Sequence, residues 1–378
     1  MPNIYLDYAA ATPLDKRVLA AMTPYLTDNF YNPSGITRES DGVRKAIDAT
    51  RSSVANILGV KSAEIIFTAG GTEANNLAIR GVMEQYPGSN LIISAIEHES
   101  VIAPAFLYDS KLAPVSSEGI IDIDRLVELV DNKTVLVSVI YASNEVGSIQ
   151  PLKELSDRLE AVRSRRERQG NKLPLYLHSD AAQAGNYLSL HADKLGVDML
   201  SLNGGKIYGP KQSGVLYVKS SVRLKPLILG GGQESALRSG TENVAGIIGF
   251  GEALSIAQNN RLSESARLKS LQSLFFDLMR EQLPAATING SLKHRLPSNV
   301  HLTIPGIDNE RTVMELDEKG IIAASGSACS AASQEPSHVL MAMGLSKAEI
   351  RSSLRFSMGR STSAASIRAV VSALLSLV

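Results

Sequence analysis

Four short segments carry residues whose types and surroundings suit covalent chemistry. In LSLNGGKIYGPKQSGVLYV (200–218), Lys206 lies between two apolar runs and is flanked by Gly204, Gly205 and Gly209. A lysine held in a glycine-rich turn at a strand end suits Schiff-base formation with a carbonyl compound. In LYLHSDAAQAG (175–185), Asp180 closes an apolar run and Gln183 follows three residues on. A carboxylate there can pair with a cationic ring nitrogen of a ligand. In EIIFTAGGTEANNLAI (64–79), a strand runs into a small-residue turn and a helix starts near Thr72. Amides at a helix start, with Gly70 and Gly71 permitting close approach, make a phosphate cradle. In IIAASGSACSAASQEPSHVL (321–340), Cys329 stands among small polar residues, where a thiol is accessible and open to oxidation. Taken singly, each segment also has a plainer account: a surface lysine, an N-capping aspartate, an ordinary strand-to-helix turn, a loop of small residues.

These residues need a scaffold, and the hydrophobic pattern supplies one. Strands are expected at 65–68, 91–94, 135–140, 175–178, 199–202 and 214–218, with helices at 72–86, 123–130 and 152–169 between several of them. That alternation predicts an α/β layer with a mostly parallel sheet, whose ligands bind beyond the carboxyl ends of the strands. Past residue 255 the pattern changes to a long amphipathic helix at 264–283, shorter strands at 299–304, 321–324 and 354–357, and a capping box from Ser346 to Glu349. The expected division is a large domain over 16–255 and a smaller α+β domain over 256–378 together with 1–15.

Composition narrows the function. The chain has 378 residues, 38 Lys+Arg and 38 Asp+Glu, so it lacks the positive charge that drives non-specific binding to nucleic acid or to a membrane surface. The basic cluster Arg163, Arg165, Arg166, Arg168 is expected to be a solvated helix end. One cysteine excludes an internal disulfide and any multi-cysteine metal site, and the six histidines have no metal-ligand spacing. GxxxxGK[ST], HExxH and GxSxG are absent. There is no run of 18 apolar residues, and Asp7 stands where a secretory signal would need apolar ones, so a cytoplasmic protein is expected.

In combination and in order, the segments YLDYAAATPLD (5–15), FTAGGTEANNLAI, EHES, SNEVG, SDAAQ, GKIYGPK, RSGTEN, SGSACSAASQEP and SLRFSMGR resemble the pyridoxal 5'-phosphate (PLP) cysteine desulfurases of the class V aminotransferase superfamily. The resemblance covers nearly the whole chain, and the stretch after SGSAC is similar to the subgroup with an extended cysteine loop. It implies fold type I, a homodimer, and conversion of L-cysteine to L-alanine. Cys329 would take the sulfur as a persulfide and pass it to an acceptor protein, for iron–sulfur assembly or thiolation. It further implies that Lys206 carries PLP, Asp180 pairs with the pyridine nitrogen, Gln183 bonds the ring oxygen, and His98 stacks on the ring and moves protons. Gly71 and Thr72 would hold the phosphate, joined by Thr241 from the neighbouring subunit. Asn144 and Arg355 would bind the substrate carboxylate, which a guanidinium grips with two parallel bonds.

The pattern departs from the family at one place. The family usually has serine and histidine leading to the lysine, the histidine directly before it, where this chain reads Asn203, Gly204, Gly205, Lys206. Asn203 would replace the serine as a donor, and Gly205 would offer its backbone amide alone. Loss of a charge-assisted phosphate contact would weaken PLP binding by about 1.5–3 kcal/mol. Other readings are a selenocysteine lyase or a small-amino-acid aminotransferase, and a scaffold protein with weakened PLP binding.

Overall fold

A computed structural model describes residues 3–326 and 336–378. Its centre is a seven-stranded sheet in the order β2-β8-β7-β6-β5-β3-β4. The strands are β2 (Ile65–Thr68), β3 (Asn90–Ser94), β4 (Ser110–Ala113), β5 (Thr134–Ser138), β6 (Tyr176–Asp180), β7 (Met199–Asn203) and β8 (Gly214–Val218). The pairings from β7 to β4 are parallel, whereas β8 runs antiparallel to both β7 and β2. The mostly parallel sheet expected from the sequence is therefore present.

Side chains along each strand alternate between two cores. Ile65 and Phe67 of β2, with Val215 and Tyr217 of β8, join the core that includes the helices Arg38–Leu58 and Leu152–Arg168. Ile66, Leu216 and Val218 point the other way, onto the helix Gly71–Gln85. Both faces are covered, so the strands read as continuous apolar runs. A separate core forms around β10 (Asn299–Thr303), which pairs antiparallel with β12 (Ser353–Ser357) and β9 (Thr287–Ile288). Near the start of the chain, β1 (Ile4–Tyr5) pairs with β11 (Ile321–Ile322), and Leu6 is buried in this third core.

One helix, Val244–Gln282, joins the large sheet to the core around β10: Phe250 and Leu254 pack against the sheet, Phe275 and Met279 into that separate core. It begins twenty residues before the expected start at 264. Within it, Gly249 and Gly251 are contact points. A Cβ on Gly249 would lie 2.6 Å from Met22 Sδ, and one on Gly251 would lie 2.4 Å from Thr50 Cγ2. Neighbouring helices approach too closely there for any side chain. The Ser346–Glu349 capping box forms as expected.

The arginine cluster needs correction. Arg165 and Arg168 are exposed, but Arg166 is buried and donates to the carbonyls of Thr134 and Asn132. Arg163 reaches Leu175 O and Asp198. These two arginines tie the helix end to the sheet rather than projecting into water.

His178, fully buried in β6, joins three adjacent strands through Ser138 Oγ (2.8 Å) and Ser201 Oγ (2.9 Å). Burial lowers its pKa to about 4, against the opposing effect of the Asp180 charge. A base whose folded pKa is depressed takes up its proton later than in the unfolded chain. Its contribution to stability is therefore complete above the unfolded value of 6.5 and is lost as pH falls toward 4. His178→Gln is expected to flatten the dependence of stability on pH in that window by up to about 1.4 kcal/mol per pH unit relative to wild type. Denaturant melts at pH 4.5, 5.5 and 7 check this, and parallel curves for the two proteins would refute it.

Candidate active site

The carboxyl ends of the parallel strands converge on one cavity of about 280 Å³. Asp180 is the last residue of β6 and Asn203 the last of β7. His98 follows β3, and Asn144 lies beyond β5. Gly71 and Thr72 open the helix Gly71–Gln85, and Arg355 comes from β12. All seven line the cavity together with Gln183 and Lys206. Thr241 is exposed and lines neither this cavity nor the adjoining one. Cys329 lies outside the described residues.

Lys206 ends the short turn Gly204–Lys206, where the backbone leaves β7 tightly: a Cβ on Gly204 would lie 2.2 Å from Ser213 Oγ. Its Nζ donates to the carbonyls of Ala9 (2.8 Å) and Ala10 (2.7 Å). Gln183 Nε2 also donates to Ala9 O, at 3.0 Å. The segment 7–11 is thus a wall of the site. Asp180 is not a helix N-cap: its Oδ1 accepts from Ala182 N within a turn, and its Oδ2 accepts from Asn75 Nδ2 at 2.7 Å.

The Gly205 amide is not available to a ligand as expected, because it donates to Asn203 Oδ1 at 3.0 Å. With its oxygen committed to capping this turn, Asn203 keeps Nδ2 as a donor. A Cβ on Gly71 would stand 3.5 Å from that nitrogen, so it lies beside the start of the helix. A second, more open cavity of about 720 Å³ adjoins here, lined by Gly70, Gly71, Thr72, Gly205 and Lys211 among others.

Arg355 is 1% exposed. Its Nη2 donates to Asp7 Oδ1 at 2.7 Å and its Nη1 to Asn144 O at 3.1 Å, while Nε is buried without a partner among the described residues. The backbone of Arg355 exchanges two hydrogen bonds with Ala324 (3.1 and 2.7 Å), just before the segment that holds Cys329. Just after that segment, His338 Nε2 donates to Glu97 O at 2.9 Å. The described residues flanking 327–335 are therefore tied to Arg355, which lines the cavity, and to Glu97, the neighbour of His98.

His98 Nδ1 accepts the backbone N–H of Ser100 at 3.1 Å, so the neutral ring carries its proton on Nε2. Its neighbour Glu97 is fully buried; burial pushes its carboxyl well above the ordinary range, opposed by the bond from Ile140 N and reinforced by the Asp180 charge. Burial likewise raises Glu145, against a Ser337 hydrogen bond and the Arg355 charge.

Sequence reasoning missed Asp7, Asn75 and Ser100. In the sequence Asp7 figures only as a charge where a secretory signal would need apolar residues, with nothing to mark it as the partner of Arg355. Asn75 was hidden on the apolar face of its helix, and a polar residue among Ala74, Leu77 and Ala78 was the available signal.

Residues 4–370 match the family described as Aminotransferase class-V. The chain belongs to the class-V aminotransferases. Among curated relatives, the cysteine desulfurase IscS of Dictyoglomus turgidum is 40% identical, over 94% of this chain and 90% of that protein. Among solved structures, a NifS-like protein from Rickettsia africae is 31% identical with a TM-score of 0.88 over 99% of both chains. SspA, solved in complex with cysteine, is 32% identical with a TM-score of 0.81 over 94% of this chain and 98% of that one. Class-V aminotransferases of this kind work with PLP, and PLP is the cofactor here. The donor set fits it: a buried carboxylate suits a protonated pyridine nitrogen, Lys206 suits the aldehyde, and the glycine-lined helix start suits the phosphate. Among the described residues, no helix is long and apolar enough to cross a membrane.

Proposed function

We propose that this class-V enzyme is a cysteine desulfurase that converts L-cysteine to L-alanine and carries the removed sulfur on Cys329. The observation that carries the reading is the attachment of both flanks of the Cys329 segment, to Arg355 in the cavity and to Glu97, the neighbour of His98. An aminotransferase has no use for a cysteine in that segment of the sequence.

In this reading Lys206, Asp180, Gln183 and His98 hold the cofactor's ring, and Gly71, Thr72 and Asn203 hold its phosphate. PLP, when bound, supplies an electron sink for the substrate's α-carbon. Arg355 and Asn144 fix the substrate carboxylate, and His98 exchanges a proton at Nε2. The Cys329 thiolate then attacks the substrate sulfur. A sulfur–sulfur bond forms as the substrate carbon–sulfur bond breaks, so no external oxidant is consumed. The persulfide passes to an acceptor protein, in iron–sulfur assembly or thiolation. The enzyme works in the cytoplasm as a homodimer, with Thr241 completing the phosphate site across the subunit interface.

The experiment is alanine production from L-cysteine by the purified protein with PLP and a thiol reductant. Production of alanine at no more than the rate of PLP alone would overturn the reading. A second test addresses the phosphate: Asn203→Ala is expected to raise the PLP dissociation constant about tenfold, while pyridoxal, lacking the phosphate, loses much less. Equal losses for the two ligands would remove Asn203 from the phosphate site.

A further inference from the structure

We infer that Asn75 is a positioning residue that fixes His98 and Asp180 relative to one another through Ser100. Asn75 lies in the first turns of the helix Gly71–Gln85 and is fully buried. Both protons of its Nδ2 are used, one on Asp180 Oδ2 at 2.7 Å and the other on Ser100 Oγ at 2.8 Å. Because His98 Nδ1 accepts from the Ser100 amide it carries no proton, so the Ser100 hydroxyl, 2.8 Å away, donates to it. One unbroken run of bonds therefore links carboxylate, carboxamide, hydroxyl and imidazole across three elements of the fold.

The choice of side chain supports a role beyond packing. A carboxamide offers two donors in a planar fork and no charge, so it orients Asp180 without neutralising it. An aspartate at 75 would repel Asp180, and a leucine of similar shape would donate to neither neighbour. Asn75 Oδ1 is buried without a partner among the described residues. That unsatisfied oxygen is a cost that leucine would avoid, and its retention makes sense for the sake of the two donors.

The inference rests on the PLP reading, since that gives Asp180 and His98 something to align. The full-length protein with PLP bound is compared with Asn75→Leu, Ser100→Ala and the double variant. The visible absorbance of the bound cofactor at fixed pH, kcat and KM for L-cysteine, and melting temperature are measured. Asn75→Leu is expected to move the absorbance band and to lower kcat about tenfold to a hundredfold, with KM within about twofold. Ser100→Ala is expected to lower kcat while leaving the band in place, and the double variant to be no slower than Asn75→Leu alone. A lowered melting temperature with unchanged band and kcat, or losses that multiply in the double variant, would overturn the inference. If Asn75→Leu does not fold, Ser100→Ala decides alone: an unchanged kcat overturns the linkage. A wild-type protein that makes no alanine overturns the functional reading itself, which is a separate and earlier failure.

Discussion

Cys329→Ala is expected to bind PLP as the wild type does and to form no alanine from L-cysteine above the rate of PLP alone. The expectation is for complete loss because the chain has a single cysteine, so no second thiol can stand in for the first. A persulfide retained by the protein must sit on Cys329. Wild-type protein stopped during turnover should therefore gain the mass of one sulfur atom, reversible by a reducing agent, and the variant should gain nothing. Cys329→Ser sharpens the result: it keeps size and polarity but exchanges a thiolate nucleophile for a far weaker one. Alanine formation by either variant at the wild-type rate would show that sulfur leaves without a protein nucleophile.

Arg355→Leu is expected to raise KM for L-cysteine at least a hundredfold, corresponding to loss of about 3 kcal/mol or more for a desolvated, two-pronged contact with a carboxylate. It should also lower stability, because Asp7 then keeps a carboxylate without its counter-charge. The two effects can be pulled apart. In Arg355→Leu with Asp7→Leu the unpaired charge is gone, so part of the stability should return while KM stays high. Arg355→Lys retains the charge but loses the fork, and should fall between wild type and leucine. Recovery of both KM and stability in the double variant would mean that Arg355 serves Asp7 and not the substrate.

Much of this was legible in the sequence, for reasons that differ by element. The strands of the large sheet are buried on both faces and bounded by turn residues, so their apolar runs stand out; β2 and β8 form over the residues expected. The helix from Val244 was read short because glycine at a close helix crossing looks the same as glycine at a helix end. Arg166 was read as solvated because periodicity cannot tell a charge that caps strand carbonyls from one that faces water. At the site, residues on strand ends and glycine turns were recognisable one by one. Asn75 and Asp7 matter through partners 105 and 348 positions away, and no local pattern announces such a partner.

Those separations also bear on how the protein is made. The wall of the pocket at residues 7–11 meets Lys206 from mid-chain, whereas its charge partner, Arg355, belongs to one of the last strands to leave the ribosome. The large sheet can form from local crossovers well before then, but Asp7 must wait for nearly the whole polypeptide before it finds its arginine. The substrate side of the pocket is thus a late product of folding. A nascent or truncated chain can hold a well-formed sheet, with the residues assigned to PLP in place, and still lack the arginine assigned to the substrate carboxylate.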